Sequence, residues 1–244
     1  MARIDILGVG FDPVTPQEAL DRVTGMVDRG EGGYVVTPNP EIVYACREDP
    51  ALQALMDGAA LVVPDGIGVI HAARILRTPL PARVPGIELG EQLCAYMAKT
   101  GRRLYLLGAK PGVAEKAAAK LQSIYPGLVI AGTHDGYFSD DAPVAEAMAA
   151  AAPDAAFVCM GFPRQERFMA AHAALLPRCV MLGLGGSLDV FAGEAKRAPR
   201  IFIRLGLEWF YRLLREPSRI GRMMKLPAFL WLALRERLGQ GRGK

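Results

Sequence analysis

Between residues 4 and 185 short β-branched runs alternate with longer helix-patterned stretches, and this alternation limits the chain to very few architectures. The strand-like runs are Ile4–Gly8, Tyr34–Thr37, Ala60–Pro64, Arg103–Gly108, Gly127–Gly132, Ala155–Gly161 and Cys179–Gly185. Helical spacing marks 16–29, 40–57, 66–76, 87–100, 112–124, 142–151 and 164–174. Strand, helix, strand in repetition predicts an α/β fold: a mainly parallel sheet with helices on both faces. Ligands of such sheets bind beyond the carboxyl ends of the strands, where loops and helix N-termini converge, so the residues just after each strand are the first candidates for chemistry.

From Pro199 onward the pattern is helical only, and the charge changes with it. Residues 195–244 hold 13 Lys and Arg against three Glu, a net of +10; the rest holds 16 basic and 22 acidic residues, a net of −6. An acidic body with a basic tail points to a polyanionic partner: nucleic acid, a phosphate-bearing substrate or an anionic membrane face. Arg200, Arg204, Arg212 and Arg215 share one face of a basic amphipathic helix, with Glu208 between them. Pro217 and Pro227 are expected to cut the rest of the tail into shorter segments, the last apolar and then basic. That composition suits a helix lying among phospholipid head groups, the competing reading being a helical hairpin packed on the body. Arginines interleaved with Trp209, Phe210, Phe229 and Trp231, without a recognised reader motif, argue against nucleic acid.

Several classes are disfavoured. The N-terminus lacks a basic stretch followed by an apolar segment, and no apolar run approaches the ~20 residues that span a bilayer, so neither secretion nor a transmembrane anchor is expected. Cys46, Cys94, Cys159 and Cys179 form no CxxC pair, and His71, His134 and His172 show no ligand spacing; four buried reduced thiols in a reducing cytosol are the expectation. Gly8-Val9-Gly10 lacks the third glycine of a dinucleotide fingerprint, and Gly108 to Gly112 is not a phosphate-binding P-loop. No DxD pair is present, so metal-chelated diphosphate chemistry is unsupported and arginines would have to meet a phosphate leaving group.

The polar residues at strand ends carry more. Thr37 and Asn39 follow the second run and Asp65 the third, so the three should meet at one edge of the sheet. There Asp65 is a candidate general base, against its reading as a turn residue or helix cap. Arg83 stands in a loop before a helix. Gln165 and Glu166 fall in a first turn after Pro163, expected to face the same cleft or else to be ordinary helix-start polarity. Gly108, and Gly185 and Gly186 followed by Asp189, mark turns able to hold a nucleotide through backbone N–H groups, with plain tight turns as the alternative.

Together these pieces resemble the WecG/TagA/CpsF glycosyltransferases, glycosyltransferase family 26. The matching segments are TPNPEIV, VPDGIGV, RVPGIEL, YLLGAKPGVAEKA, GTHDGYF, MGFPRQE and GLGGSLDVFAGEAKRAPRIFIRLGLEWFYRLLREPSR, in order along nearly the whole chain. The resemblance implies a Rossmann-like catalytic domain, residues 1–196, and a C-terminal basic helical appendage, residues 197–244, that completes the active site and associates with the membrane. It implies an inverting, metal-independent transfer, with no cofactor, from a UDP-sugar to an undecaprenyl-diphosphate-linked acceptor sugar. The setting would be the cytoplasmic, inner face of a bacterial plasma membrane. N-acetylmannosamine is the first choice of donor sugar, its uronic acid or glucose the alternatives; a homo-oligomer in solution is left open. In that scheme Asp65 is the base and Thr37 and Asn39 position the reacting sugars. Arg83, Gln165, Glu166, Gly108, Gly185, Gly186 and Asp189 contact donor or acceptor, and Arg212, Arg219 and Arg222 match the family's appendage arginines.

Overall fold

A computed structural model describes residues 2–204, 206–215 and 225–240. Six parallel strands form the central sheet: β3 (Gly33–Val36), β4 (Leu61–Val62), β5 (Arg103–Gly108), β6 (Val129–His134), β7 (Ala155–Cys159) and β8 (Val180–Gly183), in the spatial order β4-β3-β8-β7-β5-β6. Alternate residues along each strand serve opposite layers. Val36, Val62, Leu107, Val158 and Met181 pack under α2 (Pro40–Glu48), α3 (Pro50–Asp57), α4 (Ile67–Ile75), α7 (Ala142–Ala150) and α8 (Arg164–His172). Val35, Leu61, Leu106, Phe157 and Leu182 pack under α1 (Pro16–Arg29), α5 (Gly86–Thr100), α6 (Val113–Ile124) and α9 (Ser187–Ala192). Burial on both faces explains why β3, β4, β5, β7 and β8 read as continuous apolar runs, while β6, at the edge of the sheet, has no fully buried residue.

The first strand-like run departs from expectation. It does not join the sheet: β1 (Ile4–Ile6) pairs antiparallel with a short strand absent from the sequence reading, β2 (Val9–Phe11). Leu7 and Gly8, both at positive φ, make the two-residue turn that such a hairpin requires. The hairpin is pinned by buried Asp12, whose carboxylate accepts from the Val62 N–H at 2.9 Å and pairs with Arg3 and Arg22 at 3.1 and 3.0 Å. A carboxylate this enclosed needs all its donors, because an uncompensated buried charge is strongly destabilising.

Two predicted helices are broken. The stretch 40–57 divides at Asp49, forced out of helical geometry by Pro50 and recruited as the cap of α3 through a bond from the Ala51 N–H at 2.9 Å. The single basic helix expected from Arg200 to Arg215 is two, α10 (Arg200–Arg204) and α11 (Glu208–Arg215), separated at Gly206, whose φ of +70° no side-chain-bearing residue adopts easily. Pro227 stands in the first described turn of α12 (Lys225–Gln240), where a missing N–H is tolerated, so the last segment opens about where expected; Pro217 lies outside the described residues. α12 packs on α2 and α4 with Phe229 and Ala233 fully buried, so its inner face belongs to the core rather than to a free surface helix. Its outer face keeps Trp231, Leu234 and Leu238 in one stripe, 58%, 47% and 63% exposed, with Arg235 over the Trp231 ring at 5.7 Å.

Candidate active site

β3 leads into α2 on one face of the sheet and its neighbour β8 into α9 on the other, so their loops part and leave a crevice at the carboxyl edge. Three of the residues singled out in the sequence stand around it. The Thr37 hydroxyl donates to the Gly183 carbonyl at 3.0 Å. The Asp65 N–H donates to the Pro38 carbonyl at 3.2 Å, and its Oδ2 accepts from the Gly86 N–H at 3.3 Å. Asp65 is therefore not the cap of its own helix: Gly66 holds the N-cap position of α4 without a side-chain bond, and the carboxylate reaches instead to the first turn of α5, whose positive end suits a negative group. Gly86 also approaches Thr37 so closely that a Cβ there would lie 3.1 Å from the Thr37 methyl. Asn39 does cap a helix, its Oδ1 accepting from the Ile42 N–H at 3.1 Å, which fixes it beside Gly66 at the crevice margin.

Gln165 and Glu166 are placed differently from the expectation of two side chains facing an open cleft. Both are buried. Gln165 ties the start of α8 to the loop after β8: its Oε1 accepts from the Gly185 N–H at 2.9 Å and its Nε2 donates to Glu166 Oε1 at 2.8 Å. Glu166 is 1% exposed, lies within electrostatic reach of Cys46 of α2, and has an Oε2 without a hydrogen-bond partner among the described residues. Burial pushes its carboxyl above the ordinary value, the bond from Gln165 opposing this in part. The consequence for stability has a definite sign. As pH rises above the ordinary carboxylate value the unfolded chain sheds a proton that the folded chain keeps, so wild-type stability falls until the folded group itself ionises. Glu166→Gln has no such proton, and urea unfolding at pH 4.5, 6 and 7.5 should show the variant gaining on the wild type as pH rises, each pH unit between the two titrations weighing about 1.4 kcal/mol. A gap independent of pH would contradict a protonated Glu166.

A second cleft, of about 230 Å³, opens beyond β5, β6 and β7 and is bordered by Lys110, Gly136, Tyr137, Met160 and Asp189. Gly108 precedes Ala109 of the cleft wall and has a packing role beyond either a nucleotide-holding or a plain tight turn: at φ +130° a Cβ would stand 2.2 Å from the Cys159 carbonyl oxygen, so only glycine lets β5 and β7 end side by side. The Ala109 N–H is likewise engaged, donating to the Cys159 carbonyl at 3.1 Å. Asp189, in the first turn of α9, turns toward this cleft past Gly186, so the loop through Gly185 and Gly186 joins the two clefts. All four cysteines are free and buried, and burial pushes the Cys159 thiol in the cleft wall up to about 12, which leaves no thiolate nucleophile at neutral pH.

Lys110, Tyr137 and Arg164 were not among the sequence candidates. Arg164 donates to the carbonyls of Gly136 and Phe138 and stacks over the Phe138 ring at 4.4 Å, fastening the loop that carries Tyr137. Their signal was present only as membership of the segments YLLGAKPG, GTHDGYF and MGFPRQE, which the fold brings together. Arg83, by contrast, is already engaged: it pairs with Glu208 of α11 at 3.2 Å. Arg212 belongs to α11, but its side chain, together with Arg219 and Arg222, lies outside the described residues.

A parallel α/β sheet with a carboxylate near the switch point and a second polar cleft across one loop is the arrangement with which enzymes of this architecture hold ligands at the strand ends. Comparison narrows the class: the family model for the Glycosyl transferase WecG/TagA/CpsF family matches residues 4–243, and the chain belongs to that family of glycosyltransferases. It is similar to proteins named N-acetylglucosaminyldiphosphoundecaprenol N-acetyl-beta-D-mannosaminyltransferase from three bacteria. The Bacillus spizizenii protein is 39% identical over 87% of this chain and 82% of its own length. The Bacillus subtilis protein is 40% identical over 86% and 82%, and that of Staphylococcus aureus 40% over 94% and 91%.

Proposed function

We propose that this glycosyltransferase moves N-acetylmannosamine from a UDP-linked donor to an N-acetylglucosaminyl-diphosphoundecaprenol acceptor, with inversion and without a metal. The observation that carries the reading is the Asp65 carboxylate held at the start of α5, beside Thr37, in a chain about 40% identical over most of its length to transferases so named. Asp65 takes the proton of the attacking acceptor hydroxyl as that oxygen bonds to the anomeric carbon and the bond to UDP breaks. The negative charge on the departing UDP is met by cationic and hydrogen-bonding groups. The second cleft suits the nucleotide: Lys110 offers a cation, Asp189 an acceptor for ribose hydroxyls and Tyr137 an aromatic face. Residues 1–196 supply this chemistry and 197–244 complete it, with Arg212, Arg219 and Arg222 as ligands of the acceptor diphosphate.

Among the described residues no helix is long and apolar enough to cross a membrane. The outward stripe of Trp231, Leu234 and Leu238, flanked by Arg235 and Arg237, supports a peripheral seat on an anionic bilayer, on its cytoplasmic face. The test is UDP release from UDP-N-acetylmannosamine with a short-chain lipid-diphosphate acceptor, after exhaustive chelation. Full activity without added divalent metal is the expected result, with the uronic acid and glucose donors at least ~10-fold poorer in kcat/KM, the scale of about 1.4 kcal/mol of transition-state binding. A strict need for Mg²⁺ or Mn²⁺ would refute the metal-independent scheme, and a better glucose donor would change the sugar.

A further inference from the structure

The turn between α10 and α11 is seated on the corner of the crevice that holds Asp65. Gly206 lies against Ile67, the first residue of α4, and Leu226 of α12 packs on Gly68 one residue further. Between them Glu208, the first residue of α11, sends one carboxylate oxygen to an Arg83 terminal nitrogen at 3.2 Å and the other toward Arg197 Nε at 3.8 Å. Arg197 is held in turn by Glu88 of α5 and stands 4.0 Å from Glu91. The side chains of Arg83 and Glu208 are each only 16% exposed, so this pair escapes most of the solvent screening that makes surface ion pairs worth little.

The position of Arg83 matters to the carboxylate. Val84, the next residue, donates its N–H to the carbonyl of Pro64 at 2.9 Å, and Pro64 immediately precedes Asp65. Two residues on, the Gly86 N–H is the donor to Asp65 Oδ2. The Arg83–Gly86 loop is thus bonded to the Asp65 segment at both ends, while Glu208 grips it from the appendage. With three carboxylates around two guanidiniums, the cluster is built to hold side chains together rather than to draw in a phosphate. The contact uses one terminal nitrogen of Arg83 and orients the rest of its planar fork.

We propose that Glu208 is a positioning residue for sugar transfer: it locks the Arg83 loop, and through it the Asp65 segment, to the appendage. The proposal rests on the assignment of Asp65 as the base on the acceptor hydroxyl of a glycosyl transfer. The full-length chain, Glu208→Gln and Glu208→Asp are compared by two measurements. With a short-chain N-acetylglucosaminyl-diphospholipid and UDP-N-acetylmannosamine, Glu208→Gln should raise the acceptor KM about tenfold and lower kcat severalfold, the size of one lost charge-assisted contact. The donor KM should stay within about twofold and the thermal midpoint within about 2 °C. Glu208→Asp, keeping the charge on a shorter stem, should recover part of the loss.

Hydrogen exchange, which needs no turnover, should speed up in Glu208→Gln at the amides of Val84, of residues 86–89 and of residues 207–211, and stay unchanged in β5, β7 and β8. Unaltered exchange at 84–89 would overturn the lock. So would equal damage to both KM values with a fall of many degrees in midpoint, since that is the signature of general destabilisation. A wild-type chain that transfers no sugar while Glu208→Gln still loosens 84–89 would sink the transferase assignment and leave the lock standing.

Discussion

Asp65→Asn should leave the fold intact and lower kcat by ~10²-fold or more, the usual scale for losing a general base. Asparagine retains an oxygen able to accept from the Gly86 N–H, and Asp65 is only half-buried, so neither the start of α5 nor the Pro38 contact should suffer. What the amide cannot do is take the proton of an acceptor hydroxyl. Turnover of the purified variant, with its thermal midpoint measured alongside, checks both halves of the expectation. Near-native turnover would remove Asp65 from the base role. Glu166 would be a poor replacement, since burial favours its protonated form and its carboxyl sits beneath Gln165 rather than in the crevice. Asp189 would then be the carboxylate to test, from the neighbouring cleft.

Removal of residues 197–244 should abolish transfer to lipid-linked and water-soluble acceptors alike. A tail that served only as an anchor would be dispensable on a soluble acceptor, but this one is built into the body. Phe229 and Ala233 fill the layer over α2 and α4, Leu226 covers Gly68, Glu208 fastens the Arg83 loop and Arg197 pairs with Glu88 of α5. Losing one buried phenylalanine alone ordinarily costs about 3–5 kcal/mol. The truncated chain should also bare an apolar face and self-associate, which light scattering would report. The informative contrast is a triple alanine variant at Trp231, Leu234 and Leu238, whose side chains face outward. It should lose retention on anionic vesicles while keeping its rate on a soluble acceptor. Full activity of the truncated chain on a soluble acceptor would show instead that the segment works only at the membrane.

The placement of much of the candidate site is legible in the sequence because its parts are local. Thr37, Asp65 and Gly185 each end or follow a strand, and in a parallel sheet all strand ends share one edge, so naming the strands names the residues that can meet. Arg164 and Tyr137 are not legible in the sequence because the bonds from Arg164 to Gly136 and Phe138, on either side of Tyr137, depend on how the loop after β6 folds back on α8. The burial of Glu166 is not legible in the sequence, because a first-turn position says where a helix begins and not which way a given side chain turns.

The local code of the chain determined its class by itself: β5 spans Arg103–Gly108 as the apolar run predicted, and α1, α5 and α6 begin and end within a residue or two of their periodic stretches. Helical and strand periodicities are set by neighbours within a few residues, and so are caps and the proline break at Asp49. Tertiary structure alone decided that the first strand would fold back on β2 instead of entering the sheet, and that α12 would bury Phe229 against α2 and α4. It also paired Arg83 with Glu208 across 125 positions. These outcomes depend on burial and charge pairing between segments far apart in the chain, whose free energy exists only once both partners share one environment; no window of sequence around either partner contains it.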